Sequence, residues 1–217
     1  MTPTKTRKTS AGRPPGSTRE GTLARLLPAA RLLFAEKGYA QTTFKDVGSA
    51  AGLSHAAVYS YFSSKQALYL ATLEDAQAML LPDYLQAIDT GQNLRERIAG
   101  ILMASAAAHD RDSSITGFLA SVPIEIRRHP ELMDALSQQH NGVFSALQAM
   151  FDDARKHGEI NTDANTDALI SAFLGGGVGV ALFQYGLLGT SLTTAMGVFV
   201  QMLEGTIFNK GNKTGNN

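Results

Sequence analysis

Cysteine is absent, which removes disulfides, thiolate zinc sites, iron–sulfur clusters and cysteine nucleophiles together. A reducing compartment is the natural fit, and the cytoplasm is the expected location. An apolar run behind the basic N-terminus is also missing: Lys5, Arg7, Lys8 and Arg13 are followed by Pro, Gly and Ser, so no secretory signal is expected. The five histidines, at 55, 109, 129, 140 and 157, have no metal-ligand spacing, and neither a metal nor a cofactor is expected. Gly52-Leu53-Ser54-His55-Ala56 lacks the last glycine and the preceding strand of a hydrolase elbow. Gly175-Gly176-Gly177-Val178-Gly179 misses the GxGxxG spacing and sits among apolar residues. Catalysis finds no support in these patterns, and the chain is not expected to be an enzyme.

Net charge is lacking too, yet the balance hides an uneven distribution. Residues 1 to 65 hold ten Lys or Arg against three acids, a balance of +7, so the remainder carries −7. That split suits a polyanion-binding head joined to a body that avoids polyanions, and equally a solvated basic surface. With 44% hydrophobic and 18% charged residues, the 217-residue chain can bury a sizeable core.

Residues 1–17 are rich in Thr, Ser, Gly, Pro and basic side chains and read as a disordered basic arm. Within it, Gly12-Arg13-Pro14 resembles the core of an AT-hook, in which Arg13 would enter a narrow A·T minor groove; an ordinary flexible tail fits as well. From Thr18, Leu23, Leu26, Leu27, Ala30, Leu33 and Phe34 form one face of an amphipathic helix that Gly38 ends. Thr43-Phe44-Lys45-Asp46 has capping-box character, Gly52 breaks the short helix it opens, and Ser54 is placed to cap a third. Two short helices meeting at a glycine form a helix-turn-helix candidate over 18–65. Ser63 to Gln66 repeats the capping spacing and starts a fourth helix that Pro82 should kink or end. Further helices are expected over Leu94 to His109, Ile115 to Arg128 with an interruption at Pro123, Leu132 to Lys156, Thr166 to Leu188 and Leu192 to Asn209. The predicted fold class is all-α, with a body over 66–209 and a disordered tail over 210–217.

Between Asp167 and Glu204 no charged residue occurs. Ala168 to Leu188 is long enough to span a bilayer, and Gly175-x-x-x-Gly179 is a helix-packing motif. The second half is too short to return, however, and no basic cluster flanks the run. Two helices buried in a homodimer are therefore expected, with Gly175, Gly176, Gly179, Phe183 and Phe199 at the interface and no membrane partner.

Leu33-Phe34-Ala35-Glu36-Lys37-Gly38-Tyr39, Thr43-x-x-Asp46-Val47, Ala51-Gly52-Leu53-Ser54, Val58-Tyr59-x-Tyr61-Phe62 and Lys65 together resemble the DNA-binding signature of the tetracycline-repressor (TetR) family. The likeness covers Leu27 to Leu68. It departs at Gly48, where the family usually has alanine, and at His55, where lysine or arginine is frequent. The resemblance implies an N-terminal three-helix DNA-binding domain, a helical ligand-binding and dimerisation domain, and a double-stranded operator as partner. His55, Ala56 and Ala57, opening the third helix behind Ser54, would face base edges. Thr43, Tyr59, Tyr61 and Lys65 look like phosphate clamps as in the family, although a plain cap, core aromatics and a solvated charge are the structural alternatives.

Among the middle helices, Met103, Phe118 and Phe144 suit a small apolar effector, with Gln139 and His140 to orient a polar group; each serves equally as ordinary core. The expected function is a ligand-responsive repressor that a small apolar effector releases from a palindromic operator. An effector-independent DNA-binding or activating protein, and a membrane-associated helical protein, are the alternatives.

Overall fold

The computed structural model describes residues 18–136, 142–186 and 190–207, and among them the chain is helical with no strand. The head comprises α1 (Arg19–Gln41), α2 (Phe44–Ala50) and α3 (His55–Tyr61). The body follows as α4 (Lys65–Thr90), α5 (Leu94–Arg111), α6 (Ser113–Arg128), α7 (Pro130–Leu136), α8 (Gly142–Lys156), α9 (Thr166–Gly186) and α10 (Leu192–Glu204).

Local hydrogen bonding explains the starts and stops of the head. Thr18 caps α1, whose regular course breaks at Gly38, where φ is 75° and only glycine is unstrained. Thr43 and Asp46 complete the capping box: the Thr43 hydroxyl accepts from the Asp46 N–H at 3.2 Å, and the Asp46 carboxylate accepts from the Thr43 N–H at 3.2 Å. Ser54 caps α3. The fourth helix is capped one residue later than expected, by Ser64, which accepts from the Ala67 N–H.

Pro82 does not end α4, and Pro123 does not interrupt α6. Both prolines are exposed, and the carbonyl of Ala78, which loses its donor to Pro82, lies on an exposed residue where water can serve it. Leu80 and Tyr84, on either side of Pro82, are buried against the body core and hold the helix in line. The expected Leu132 to Lys156 helix is instead α7 and α8, with 137–141 between them outside the described residues. The last helix stops at Glu204, where Gly205 takes the left-handed conformation.

One apolar cluster crosses from head to body. Leu26, Phe34, Tyr39 and Val58 share it with Leu68 and Tyr69 of α4 and with Phe118 of α6. Phe118 lies 5.1 Å from the Tyr69 ring and 6.1 Å from that of Phe34. A second cluster joins α4, α5, α8 and α9, and a third joins α5, α9 and α10. Arg31 of α1 ties the same junction together with charge. Only 2% exposed, it pairs with Asp75 at 2.9 Å and Asp112 at 2.6 Å, and its Nε donates to the Ser114 hydroxyl.

Candidate nucleic-acid interface and ligand cavity

The second helix of the head holds the third in place. Val58 is wholly buried, while His55, Ala56 and Tyr59 are exposed and Ala57 is half-buried. The Ser54 hydroxyl accepts from the Ala57 N–H at 3.2 Å and fixes the first turn of α3. Tyr59 packs edge-on against Phe44 at 4.6 Å and against His55 at 4.8 Å, which orients both polar rings on the outer face.

A groove beside this face is lined by Thr43, Lys45, His55, Tyr59, Ser64 and Lys65. The capped N-terminal turns of α2 and α4 therefore border one concavity, an arrangement that suits phosphate oxygens. In it the Thr43 hydroxyl donates to Asp46 at 2.7 Å, and that bond is the leading reason the Asp46 carboxyl sits below the usual aspartate range.

Two expected phosphate contacts are engaged elsewhere. The Lys65 ammonium donates to the Ala40 carbonyl at 2.9 Å and lies 4.6 Å from the centre of the Tyr39 ring. Burial pulls its pKa down, with Glu125 and Glu131 opposing. Tyr61 is half-buried against the head core, with the Arg19 guanidinium over its ring. Sequence reasoning passed over Lys45, which is exposed, next to the Thr43 cap, and without an ion-pair partner among the described residues. Its adjacency to a capped helix start was the available signal. Arg25 was passed over as well; it donates to the carbonyls of Ala51 and Gly52 and closes the turn between α2 and α3. Arg13 lies outside the described residues.

In the body, a cavity of about 680 Å³ opens between α4, α6, α7, α8 and α9. Of the expected effector residues, Phe144 lines it. Phe118 does not; it is fully enclosed at the junction with the head, because the inward face of α6 meets α1. Met103 faces the cluster shared by α5, α9 and α10 instead. Gln139 and His140 lie outside the described residues. Leu73, Gln77, Leu80 and Tyr84 of α4 supply much of the wall, and their i, i+4, i+7, i+11 spacing on one helix was the sequence signal for it.

The expected dimerisation residues divide into two groups. A Cβ on Gly176 would stand 2.7 Å from the Phe199 ring, so these two residues set the close packing of α9 on α10 within one protomer. Gly175 and Gly179 have nothing within 4 Å of a Cβ position, and Phe183 is 60% exposed. Leu182, Val198, Met202 and Leu203 are exposed on the same two helices. By length and composition α9 could cross a membrane, over Thr166–Gln184.

Residues 26–72 match the family described as bacterial regulatory proteins, tetR family. The HTH-type transcriptional repressor KstR2 of Mycolicibacterium smegmatis is 34% identical over 83 residues, 38% of this chain and 40% of the relative; the match thus spans well under half of that repressor. The HTH-type transcriptional regulator UidR of Escherichia coli K12 is 26% identical over 145 residues, 67% of this chain and 72% of the relative. Among solved structures, the transcriptional regulator FadR from Bacillus subtilis in complex with stearoyl-CoA superposes with a TM-score of 0.70 at 16% identity, covering 83% of this chain and 96% of FadR. That last likeness is one of fold.

Proposed function

We propose that this chain, whose residues 26–72 match the tetR family of bacterial regulatory proteins and whose curated relatives are HTH-type transcriptional regulators, is itself such a regulator: a ligand-responsive repressor acting as a homodimer on a palindromic operator. The observation that carries this reading is the double service of α4. Its capped N-terminus borders the groove beside α3, while Leu73, Gln77, Leu80 and Tyr84 further along wall the 680 Å³ cavity. A ligand that moves α4 therefore moves the heads relative to one another and changes the separation of two recognition helices. Such a ligand acts only by preferring the spacing that does not fit DNA.

His55, Ala56 and Ala57 are assigned to base edges, with Ser54 holding them in place; Thr43, Tyr59 and Lys45 are assigned to phosphates, and Lys65 to both phosphate and the Ala40 carbonyl. The mobile partner of this site is a small, largely apolar effector in the α4 cavity, a size of cavity typical of ligand sites. The acyl-CoA held by FadR from Bacillus subtilis is one precedent for an effector with a large apolar part.

Exposure of Leu182, Phe183, Val198 and Met202 on two helices that carry no charge between Asp167 and Glu204 supports a second copy as their cover. The bilayer-length of α9 favours a membrane as the rival cover. Sedimentation without detergent separates them: a monodisperse dimer supports the repressor, and detergent-dependent solubility supports the rival. The functional test is a gel shift on the DNA upstream of the protein's own gene, with and without hydrophobic compounds that raise the melting temperature. Release of the shifted band by such a compound is expected. Compounds that bind the cavity yet never alter DNA affinity would remove the switch.

A further inference from the structure

The cavity on α4 has a neighbour. A second, smaller space of about 90 Å³ lies toward α5 and α10, bounded by Ile101, Leu102, Phe173, Leu192 and Met196. Leu80, Tyr84, Leu119, Leu174 and Val178 line both spaces, so the partition between them is made of side chains from α4, α6 and α9. Side chains can rotate aside where backbone could not.

Polar groups are distributed unequally along this path. In the inner space, the hydroxyls of Tyr84 and Ser105 bond to each other at 2.6 Å, and Ser105 donates to the Ile101 carbonyl at 2.9 Å. That pair is satisfied without a ligand. In the outer space the polar lining besides Tyr84 consists of the Glu74 carboxylate and the Gln77 amide. Glu74 has no hydrogen-bond or ion-pair partner among the described residues, whereas its neighbour Asp75 is held by Arg31. Among the described residues lining either space there is no Lys, Arg or His.

Building on the ligand-responsive reading, we infer that the two spaces accept one elongated amphiphile: its polar end, cationic or rich in hydrogen-bond donors, lies at Glu74 and Gln77, and its apolar chain crosses the Leu80–Leu119 partition into the inner space. Charge disfavours an anionic polar end at this mouth. An anionic end beside the exposed Glu74 meets a like charge with no base among the described lining residues to neutralise it, while a cation gains an attraction. The inner walls are mostly apolar side chains. Methylene groups entering that space recover the dispersion contacts that its largely apolar lining lacks.

The test uses the full chain and three probe series of matched chain length, from octyl to tetradecyl, each kept below its micelle concentration: alkyltrimethylammonium salts, 1-alkanols and alkyl sulfates. Calorimetry is expected to give the ammonium probes at least a tenfold advantage over the sulfates, a difference of about 1.4 kcal/mol. Glu74→Gln should bring the ammonium affinity down to that of the alkanol and leave the alkanol unchanged, which also reports that the variant is folded. Ala181→Leu, on the inner wall, should stop the gain in affinity with chain length; Gly177→Ala is the milder filler if that variant does not fold. Sulfates that bind as tightly as ammonium probes, or ammonium binding indifferent to Glu74→Gln, would overturn the charge assignment. An unaltered chain-length dependence in the filled variants would overturn the path. Operator release in the same samples keeps the two readings apart: selective binding without release upholds the ligand class and sinks the switch, and release by all three series does the reverse.

Discussion

A guanidinium that is 2% exposed has five N–H donors to satisfy, and Arg31 finds its partners on α4, on α6 and at the turn between α5 and α6: Asp75, Met79, Asp112 and Ser114. Arg31→Met keeps the bulk and removes the cation, stranding two carboxylates. We expect a loss of about 3 kcal/mol, the low end for a broken buried pair because both carboxylates are about a third exposed and water screens them. Urea midpoints measure it, and a loss below the error of the midpoint would show the pair to be ornamental. The two acids differ in sign. Burial raises the Asp112 carboxyl, but the Ser114 hydroxyl and Arg31 outweigh it and hold the group below the ordinary value. Its contribution is therefore present above the unfolded pKa of about 3.9 and is lost as pH falls through the lower folded value. For Asp75 burial wins over Arg31 and the pKa is raised, so its ionisation opposes folding as pH rises through the carboxylate range. Asp112→Asn should accordingly flatten the loss of stability below about pH 4, and Asp75→Asn should not. At Gly38, φ of 75° and the Glu125 carboxylate 2.9 Å from a Cβ position predict that Gly38→Ala costs more than about 1 kcal/mol, read from the same midpoints.

At the scale of elements, the α9–α10 pair separates two kinds of glycine. Gly176→Val drives a branched side chain into the Phe199 ring and should lower the melting temperature of the protomer itself. Gly179→Leu meets open space within the protomer and should leave its fold intact, changing only the association state seen by sedimentation. A Gly179→Leu protein that dimerises with unaltered affinity would place the interface elsewhere. Such elements were legible to different depths. The caps at Thr43 and Ser54 and the break at Gly38 are written in residues three or four apart, where one hydroxyl or one missing Cβ decides the backbone. Pro82 misled because its effect depends on which side of α4 faces water, and that is fixed by α5 and α8. Phe118 misled for the same reason: a phenylalanine on α6 fits a pocket or a junction equally until the position of α1 is known. The wall of the cavity was within reach, since Leu73, Gln77, Leu80 and Tyr84 keep helical spacing, but an all-helical body offers many such stripes.

For the whole molecule, charge sets the expected behaviour on DNA. Of the ten cations before residue 66, Arg25 and Arg31 are committed to carbonyls or carboxylates of the protein, Lys65 is shared with the Ala40 carbonyl, and four of the others fall within residues 1–17. If the proposed dimer neutralises roughly six phosphates, log affinity should fall against log salt with a slope of about −5, and removing residues 1–17 should make that slope shallower while the protein stays folded. A truncated protein with unchanged slope and affinity would retire the arm. Heads of this type invite exchange between regulators, and the seam at residue 65 argues against a free exchange here. A foreign head spliced at that point brings its own residue opposite Asp75 and Asp112, and its own ring, or none, beside Phe118. Unless the donor carries an arginine at the matching turn, the graft faces two carboxylates with a filler that cannot answer them. Chimeras of this protein should therefore be chosen by what the donor offers to the body, before what it reads on DNA.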